Sequence, residues 1–399
     1  TMGTMHEIAL RLANVSNFLI EDCTISDNAT TGILLVLAAD GTLRRISSSN
    51  NGGNGLDMYI AQSILVEESE FSYNCWRSNQ ARVRHYFPAG AKLCHARNTE
   101  FRGNSFVGNL ARGFWIDING EFNTFKENLV MDNAGFGVFI ETSHGPTRIE
   151  QNRIIGNKYG IMIAESWLTE LVANTIFQNR RSQVGIRAMK NRTQQDIKNR
   201  DFFYAQGTRG EHLTFRYLPM KVTMNNNILF SDRKEDVLYR HNTDLGTNFT
   251  EHIRTYRGDN NTFYHTQKKK IFLPEPVSAN LTLEQWQKKT GQDKQSQWQE
   301  PKIYYVTIER KGKHLFVDIH NPKSKVIKVE LYGAMKKNLR REDSYFVEWS
   351  AIQKIATKDS PPYIFAVPTE QVKGGRMFFA KVLTEDKQAL HSGRIFIAR

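Results

Sequence analysis

The sequence predicts an all-β protein, a right-handed parallel β-helix followed by a small C-terminal β-sandwich. Asparagines recur with a step of 23 or 24 residues, a glycine follows several of them after four residues, and apolar residues alternate after each glycine. A repeat of this length is typical of a solenoid in which one turn of chain forms one repeat. Helical repeats are disfavoured because Gly and Asn are frequent and a 3.6-residue period is absent.

Two asparagine series set the register of the predicted turns. One series contains Asn104, Asn128 and Asn152, and the other contains Asn28, Asn51, Asn74, Asn109, Asn133 and Asn157. Asparagine and glycine tolerate the left-handed backbone angles that the corners of a coil require. Asparagines stacked at one corner can also bond to each other along the stack. The glycine expected after Asn74 arrives late, at Gly90, which predicts an insertion of about twelve residues.

Alternation with a period of two residues follows each glycine and predicts a strand with one face inward. The predicted inward pairs include Ile33 and Leu35, Leu56 and Met58, Ala91 and Leu93, Phe114 and Ile116, Val138 and Ile140, and Ile161 and Ile163. The residues between them point outward, in two columns. With Gly185 aligned to Gly160, the first column reads Leu34, Asp57, Lys92, Trp115, Phe139, Met162, Arg187. The second column reads Val36, Tyr59, Cys94, Asp117, Glu141, Ala164, Met189.

Asp117 and Glu141 are consecutive members of the second column and are the predicted catalytic residues. Neighbouring strands lie about 4.8 Å apart, so we expect the two side chains at roughly that separation. Retaining glycosidases hold their carboxyl groups roughly 5–5.5 Å apart, and inverting ones roughly 6.5–9.5 Å. The spacing therefore favours a retaining glycosidase. Lys92, one turn earlier, is expected to favour the ionised form of Asp117.

Further residues are predicted to bind substrate. We expect the outward ring of Trp115 to stack on a sugar, and His144, three residues after Glu141, to contact it. Glu165 is a weaker substitute acid. The remaining candidates are Asp57 and Arg187 for distant subsites, and His85 in the insertion that overhangs the columns.

The domain organisation follows from where the repeat ends. We expect the β-helix over residues 1–300, with insertions near 75–89 and 190–222, and a sandwich of the immunoglobulin or fibronectin III kind over 301–399. A short helix at residues 281–289, capped by Asn280 or Thr282, is expected to pack on the last coil. The sandwich strands are predicted at 303–308, 314–319, 326–331, 363–367 and 376–382.

Composition limits the possible partners. The net charge of +13 is spread along the chain without a nucleic-acid motif, so no nucleic-acid partner is expected. The three cysteines, Cys23, Cys75 and Cys94, are expected to be reduced, and no metal-ligand spacing or cofactor motif appears. The chain contains no stretch of about 18 apolar residues, so no membrane span is expected.

The chain enters a coil near His6 without a capping element, and no signal segment is visible. A solenoid without a cap exposes an unpaired strand edge. We therefore expect upstream coils, or coils of a second chain, to complete the β-helix. A polysaccharide-degrading role favours a secreted or periplasmic location.

Three motifs stand out around the predicted site: Ala89-Gly90-Ala91-Lys92, Gly113-Phe114-Trp115-Ile116-Asp117 and Phe139-Ile140-Glu141-Thr142-Ser143-His144-Gly145-Pro146. They resemble family 120 of the glycoside hydrolases, best known for β-xylosidases built on a β-helix with an added β-sandwich. The resemblance covers residues 89–146. It implies a retaining mechanism with Asp117 as nucleophile and Glu141 as acid/base, acting on a β-xyloside-like substrate. Phe87-Pro88 stands where that family often has an acidic residue, a difference that concerns the sugar more than the reaction.

Two other functions remain open at this stage. A polysaccharide lyase or epimerase would use Lys92, His85 or Arg187 on a uronate-containing glycan, which suits the basic charge. A non-catalytic glycan-binding or structural β-helix protein would bind without creating new reducing ends.

Overall fold

The computed structural model describes residues 8–77, 88–188, 221–243, 248–274, 279–322, 324–335, 352–366, 376–385, 389–391 and 395–397. Most of the two predicted insertions, near 75–89 and 190–222, lie outside the described residues. So do His85 and Met189.

The first turns of the coil consist of long strands that bend round a corner. They are β1 (Leu10–Glu21), β2 (Ile33–Arg44) and β3 (Leu56–Glu67), which pair in parallel. β3 pairs with both β4 (Ala89–Arg97) and β5 (Glu100–Arg102). From this point each turn contributes separate strands to separate faces.

Three faces of parallel strands enclose the core. Face one contains β4, β7 (Arg112–Asp117), β10 (Phe136–Glu141), β13 (Tyr159–Ala164), β16 (Ser182–Ala188), β19 (Val237–Thr243) and β22 (Phe272–Leu273). Face two contains β5, β8 (Asn123–Lys126), β11 (Thr147–Glu150), β14 (Thr169–Val172), β17 (Thr223–Asn225) and β20 (Arg257–Asp259). Face three contains β6 (Ser105–Val107), β9 (Leu129–Met131), β12 (Arg153–Ile155), β15 (Thr175–Phe177), β18 (Ile228–Ser231), β21 (Thr262–His265) and β23 (Gln297–Trp298). The predicted right-handed parallel β-helix is confirmed.

The predicted inward alternation is also confirmed. All of the apolar pairs named above lie in one buried cluster, and Phe114 and Ile116 are each 1% exposed. Because side chains alternate along a strand, the intervening residues point away from this core.

The asparagines form the predicted ladders. The Asn133 amide donates to Asn157 Oδ1 (2.9 Å) and to the Phe106 carbonyl (2.9 Å), and its Oδ1 accepts from the backbone and side chain of Asn109 (3.0 and 2.9 Å). Two donors and two acceptor positions of one buried side chain are thus satisfied. The first ladder runs through Asn28, Asn51, Asn74, Asn109, Asn133, Asn157 and Asn179. The second runs through Asn104, Asn128, Asn152, Asn174, Asn227 and Asn261.

The predicted register is wrong at β16. Gly185 pairs with Met162, not with Gly160, so Arg187 lies beside Ala164. The reason is that Gln183, not a glycine, occupies the position equivalent to Gly160. Its Oε1 accepts from the Asn179 backbone (3.1 Å) and side-chain amide (2.8 Å), so the first ladder ends there. Arg187 therefore belongs to the second column.

Two helices lie at the end of the coil, α1 (Asn248–Thr255) and α2 (Leu283–Thr290). Thr282 caps α2 through a capping box with Gln285, and buried Trp286 stacks on Phe272 with ring centroids 4.7 Å apart. The predicted helix and its packing on the last coil are confirmed. No helix within the described ranges is long and apolar enough to cross a membrane. Cys23, Cys75 and Cys94 are free thiols.

Antiparallel sheets follow the coil. One contains β24 (Tyr305–Lys311), β25 (His314–His320) and β28 (Ile364–Ala366), and the other contains β26 (Val326–Met335), β27 (Gln353–Lys358), β29 (Arg376–Thr384), β30 (Ala389–His391) and β31 (Ile395–Ile397). They fit the predicted β-sandwich. Its apolar side packs against face three, where Tyr305 contacts Phe230 with centroids 4.9 Å apart. We propose the domain boundary between residues 300 and 301, because parallel pairing ends with β23 and antiparallel pairing begins with β24.

Candidate functional site

The two predicted catalytic carboxylates end neighbouring strands of face one. Asp117 ends β7, Glu141 ends β10, and the two residues are direct partners in the parallel register. Ile116 and Ile140 point into the core, so both acids point outward. They are nevertheless almost buried, with exposed fractions of 6% and 4%.

Lys92 holds Asp117 from one side. Its Nζ lies 3.2 Å from Asp117 Oδ2 and 3.8 Å from the centroid of the Trp115 ring. Burial alone would lower the pKa of Lys92, but the neighbouring acidic groups, with Asp117 first, raise it. The Cys94 thiol, 3.7 Å from the same oxygen, has its pKa raised by burial. Asp117 Oδ1 is buried and has no hydrogen-bond partner within the described part of the chain.

Two arginines complete the charges of the site. Arg187, which the observed register places in the second column, lies close to Glu141, with Nη2 3.7 Å from Oε1. The guanidinium of Arg112 lies over the Trp115 ring, 4.3 Å from its centroid. Burial lowers the pKa of Arg112, and Glu141 and Asp117 oppose that effect. The sequence analysis missed Arg112, although it begins the strand that Asp117 ends.

The ring of Trp115 lies outside the coil core but presents no open face to solvent, and its predicted contact with a sugar stays a prediction. Its side chain is 2% exposed and stacks on Phe139, with centroids 5.5 Å apart and planes inclined by 28°. Lys92 and Arg112 contact the same ring. The residue therefore positions two cations beside the carboxylates, because a ring face attracts positive charge.

Two half-buried aromatic residues at the edge of the site were not predicted. Phe136 and Tyr159 begin β10 and β13, pair with each other, and have ring centroids 5.1 Å apart. Phe136 also packs on Phe139 at 4.6 Å. Each precedes the glycine of its turn, a regularity that would have identified them.

A chain of hydrogen bonds occupies the corner that follows the acids. His144 Nε2 donates to Asn119 Oδ1 (3.0 Å), and Asn119 Nδ2 donates to His95 Nδ1 (3.3 Å). The His95 ring meets Tyr59 edge to face, at 5.5 Å. Burial lowers the pKa of His144 to about 4, so it is neutral at physiological pH. His144 thus lies at the end of the Glu141 turn, as a neutral hydrogen-bonding group.

The other predicted residues lie near the pair but do not join it directly. Asp57 precedes Lys92 in the first column and accepts a hydrogen bond from Asn54 (3.0 Å). Burial raises its pKa to about 6, while Lys92 acts in the opposite direction. Glu165 is fully buried at the corner after Ala164, with a φ of 46°. Among the described residues, no group of three or more His, Cys, Asp and Glu side chains is arranged to hold a metal ion.

Comparison with known proteins supports the fold. Residues 8–202 match the family described as the right handed beta helix region. The A-module of the mannuronan C-5 epimerase AlgE4 of Azotobacter vinelandii is 13% identical, with 73% of this chain and 76% of that chain covered and a TM-score of 0.39. XylC in complex with xylose is 14% identical over 92% of this chain and 51% of that chain, with a TM-score of 0.41.

A third solved structure found by the comparison is an alginate lyase from Paenibacillus sp. str. FPU-7. It is 12% identical, with 65% of this chain and 97% of that chain covered and a TM-score of 0.32. None of the curated proteins matches this sequence. At these identities and TM-scores, no activity or residue role carries over to this chain.

Proposed function

We propose that this protein is a retaining glycoside hydrolase that acts on a polysaccharide or oligosaccharide. The observation that supports it is the position of Asp117 and Glu141, direct partners on adjacent parallel strands and both directed outward. Adjacent strands are about 4.8 Å apart, close to the roughly 5–5.5 Å of a retaining pair. The resemblance of residues 89–146 to family 120 suggests a β-xyloside-like substrate.

Asp117 is the proposed nucleophile. Lys92 lies 3.2 Å from Oδ2 and favours the carboxylate form, while Oδ1 accepts no hydrogen bond from the described residues. In the first step, Oδ1 bonds to the anomeric carbon and the bond from that carbon to the leaving oxygen breaks. Lys92 thus restrains one oxygen of Asp117, and the other is not engaged by a hydrogen bond within the described residues.

Glu141 is the proposed acid and base. It gives a proton to the leaving oxygen in the first step, then takes a proton from the water that cleaves the glycosyl-enzyme ester. Its contact with Arg187, at 3.7 Å, is longer than a charge-assisted hydrogen bond of about 2.8 Å.

Burial of the pair strengthens its electrostatic effects. The exposed fractions of 6% and 4% place both groups in surroundings of lower effective dielectric than water. The developing positive charge at the anomeric carbon would then interact strongly with the Asp117 carboxylate.

Digestion of a glycan panel tests the proposal, with products separated by chromatography and the anomeric configuration followed by NMR. The native chain should release sugars with retained configuration, and Asp117→Asn and Glu141→Gln should each abolish turnover while the circular dichroism spectrum is unchanged. Glu170→Gln is the matched control, because Glu170 is a half-buried ion-pair partner of Arg148 on face two. Undiminished hydrolysis by either site variant would end the proposal.

Azide separates the two roles on an activated aryl glycoside. With Glu141→Ala, azide attacks the glycosyl-enzyme and gives a glycosyl azide of retained configuration. With Asp117→Ala, azide replaces the nucleophile and gives the inverted product. The opposite pair of outcomes would exchange the two assignments.

One observation favours a second function, a polysaccharide lyase or epimerase. Lys92, Arg112 and Arg187 all lie beside the carboxylates, and such cations can pair with a uronate carboxyl group. Pairing would stabilise the charge that forms when the neighbouring proton is removed. Ultraviolet absorbance of an unsaturated product identifies a lyase, and deuterium uptake from solvent identifies an epimerase. Glycan binding without any product would indicate a non-catalytic protein.

A further inference from the structure

We infer that Asp57 is a positioning residue of the proposed site and acts on Asp117 through the ammonium group of Lys92. This role differs from the distant subsite that its place in the first column suggested. The catalytic consequence rests on the proposed function, whereas the coupling between the three charges can be measured without it.

The register places one cation between two carboxyl groups. Asp57 and Lys92 are direct partners on β3 and β4, in the first column. The Lys92 side chain then crosses to the second column, where its Nζ lies 3.2 Å from Asp117 Oδ2, one strand further along. The ammonium group also lies over the face of the Trp115 ring, 3.8 Å from its centroid, in a cation–π contact. Lys92 is thus shared by acids on either side.

Asp57 is held in place by the coil itself. Its Oδ2 accepts from Asn54 Nδ2 (3.0 Å), and Asn54 Oδ1 accepts from the backbone N–H of Ala89 (2.9 Å), the first residue of β4. One asparagine therefore ties the carboxyl group to the strand that carries Lys92. A side chain restrained in this way keeps a constant distance from the ammonium group.

The ionisation of Asp57 changes the charge that Lys92 can offer Asp117. Burial raises the pKa of Asp57 to about 6, Lys92 lowers it and Asp117 raises it further. Among the described residues, the Asn54 amide, the Cys94 thiol and, on β2, the apolar Leu34 also lie near it. Above about pH 6 the added negative charge favours the oxocarbenium-like transition state of glycoside hydrolysis. We expect a rise in kcat/KM through that pH.

Two measurements test the inference. In the first, kcat/KM of the native chain and of Asp57→Asn is followed from pH 4 to 9 on a substrate that the native chain hydrolyses. The limb near pH 6 should vanish in Asp57→Asn, with a loss of roughly fivefold at pH 7, and Asp57→Glu should restore it. Superimposable profiles for the native chain and Asp57→Asn would overturn the inference and leave the proposed function standing.

The second measurement needs no substrate. With ¹³C-labelled aspartate carboxyl groups, NMR should detect one group that titrates near pH 6 in the native chain and is absent from Asp57→Asn. Lys92→Met should raise that midpoint by about one pH unit or more, because the stabilising cation is lost. Lys126→Met, which removes a cation paired with Glu100 on face two, is the matched control and should leave it unchanged. An unmoved midpoint in Lys92→Met would overturn the inference, even if no glycan is hydrolysed and the proposed function fails.

Discussion

The asparagine corner and the outward columns of face one belong to the same turns of chain, yet they are built by opposite rules. At the corner, Asn109, Asn133 and Asn157 repeat one residue and one set of hydrogen bonds on every turn. In the columns, Lys92 and Asp117 differ from their neighbours on each turn. The repeated asparagines stabilise the coil, and the column residues that differ from turn to turn form the candidate site.

The physical reason is the chemistry of the stacked groups. An amide carries both donors and acceptors, so an asparagine can satisfy an identical asparagine one strand away. A carboxylate carries only acceptors and a charge, so an identical neighbour repels it. Asp117 and Glu141 therefore each lie beside a cation, Lys92 and Arg187 respectively.

The largest expected effect comes from a substitution in the columns that leaves the stack intact. Asp117→Asn is isosteric and removes the proposed nucleophile, so turnover should fall by at least about a thousandfold. The midpoint of thermal unfolding should change by no more than about 1 °C, which corresponds to roughly 1 kcal/mol for a chain of this length. Steady-state kinetics and circular dichroism check both numbers. Turnover within tenfold of the native value would contradict the proposal that Asp117 is the nucleophile.

The corner should respond in the opposite way. Asn133→Ala removes four hydrogen bonds. The backbone N–H of Asn109 loses its partner, and Nδ2 of Asn109 and Oδ1 of Asn157 each keep one other bond. We expect the free energy of unfolding to fall by about 3 kcal/mol, with turnover per folded molecule unchanged. Denaturant unfolding measures the loss. Asn28→Ala, at the first position of the ladder, should cost less; an equal cost would show that the ladder is not cooperative along its length.

Two buried histidines near the end of the coil, His241 and His265, differ in whether a hydrogen bond satisfies the ring. His265 bonds to Asp236 at 3.0 Å, whereas neither ring nitrogen of His241 has a hydrogen-bond partner within the described residues. Burial, and next His252, lower the pKa of His241 to about 3. The unfolded chain therefore binds more protons between about pH 6.5 and 3, and stability falls as the pH falls through this range.

His241→Leu should therefore unfold at a lower pH than the native chain and be at least as stable at pH 7. His265→Leu should be destabilised at pH 7, because it leaves the buried Asp236 carboxyl group without that partner. Acid titration followed by tryptophan fluorescence separates the two variants. A loss of more than about 1 kcal/mol for His241→Leu at pH 7 would show that its ring is needed for packing.

The smallest expected effect concerns Phe136 and Tyr159, the two half-buried aromatic residues at the edge of the site. Phe136→Ala should raise KM by roughly threefold with kcat unchanged, because a half-buried ring offers stacking area but lies several residues from Glu141. Tyr159→Ala should behave alike. Initial rates over a range of substrate lengths measure the change, and a lowered kcat would place these rings at the reacting sugar instead.

Much of the fold could be predicted because the repeat is local. The spacing of Asn104, Asn128 and Asn152 predicts where each turn of the coil lies, and the alternation around Phe114 and Ile116 identifies the inward side. The partnership of Asp117 and Glu141 followed from the same count, since parallel strands of equal turn length place equivalent residues side by side. The turn after Asn179 escaped prediction because Gln183, not a glycine, occupies the position equivalent to Gly160.

The sequence by itself determined the solenoid, its inward core and the adjacency of the two acids, because these depend on periodic spacing along the chain. Only the tertiary structure decided that Trp115 is buried beneath two cations, that Arg187 reaches Glu141, and that the C-terminal sheets cover face three. Burial and ion pairing join residues from separate turns and separate domains. Their geometry depends on turn lengths and side-chain paths that no repeat encodes.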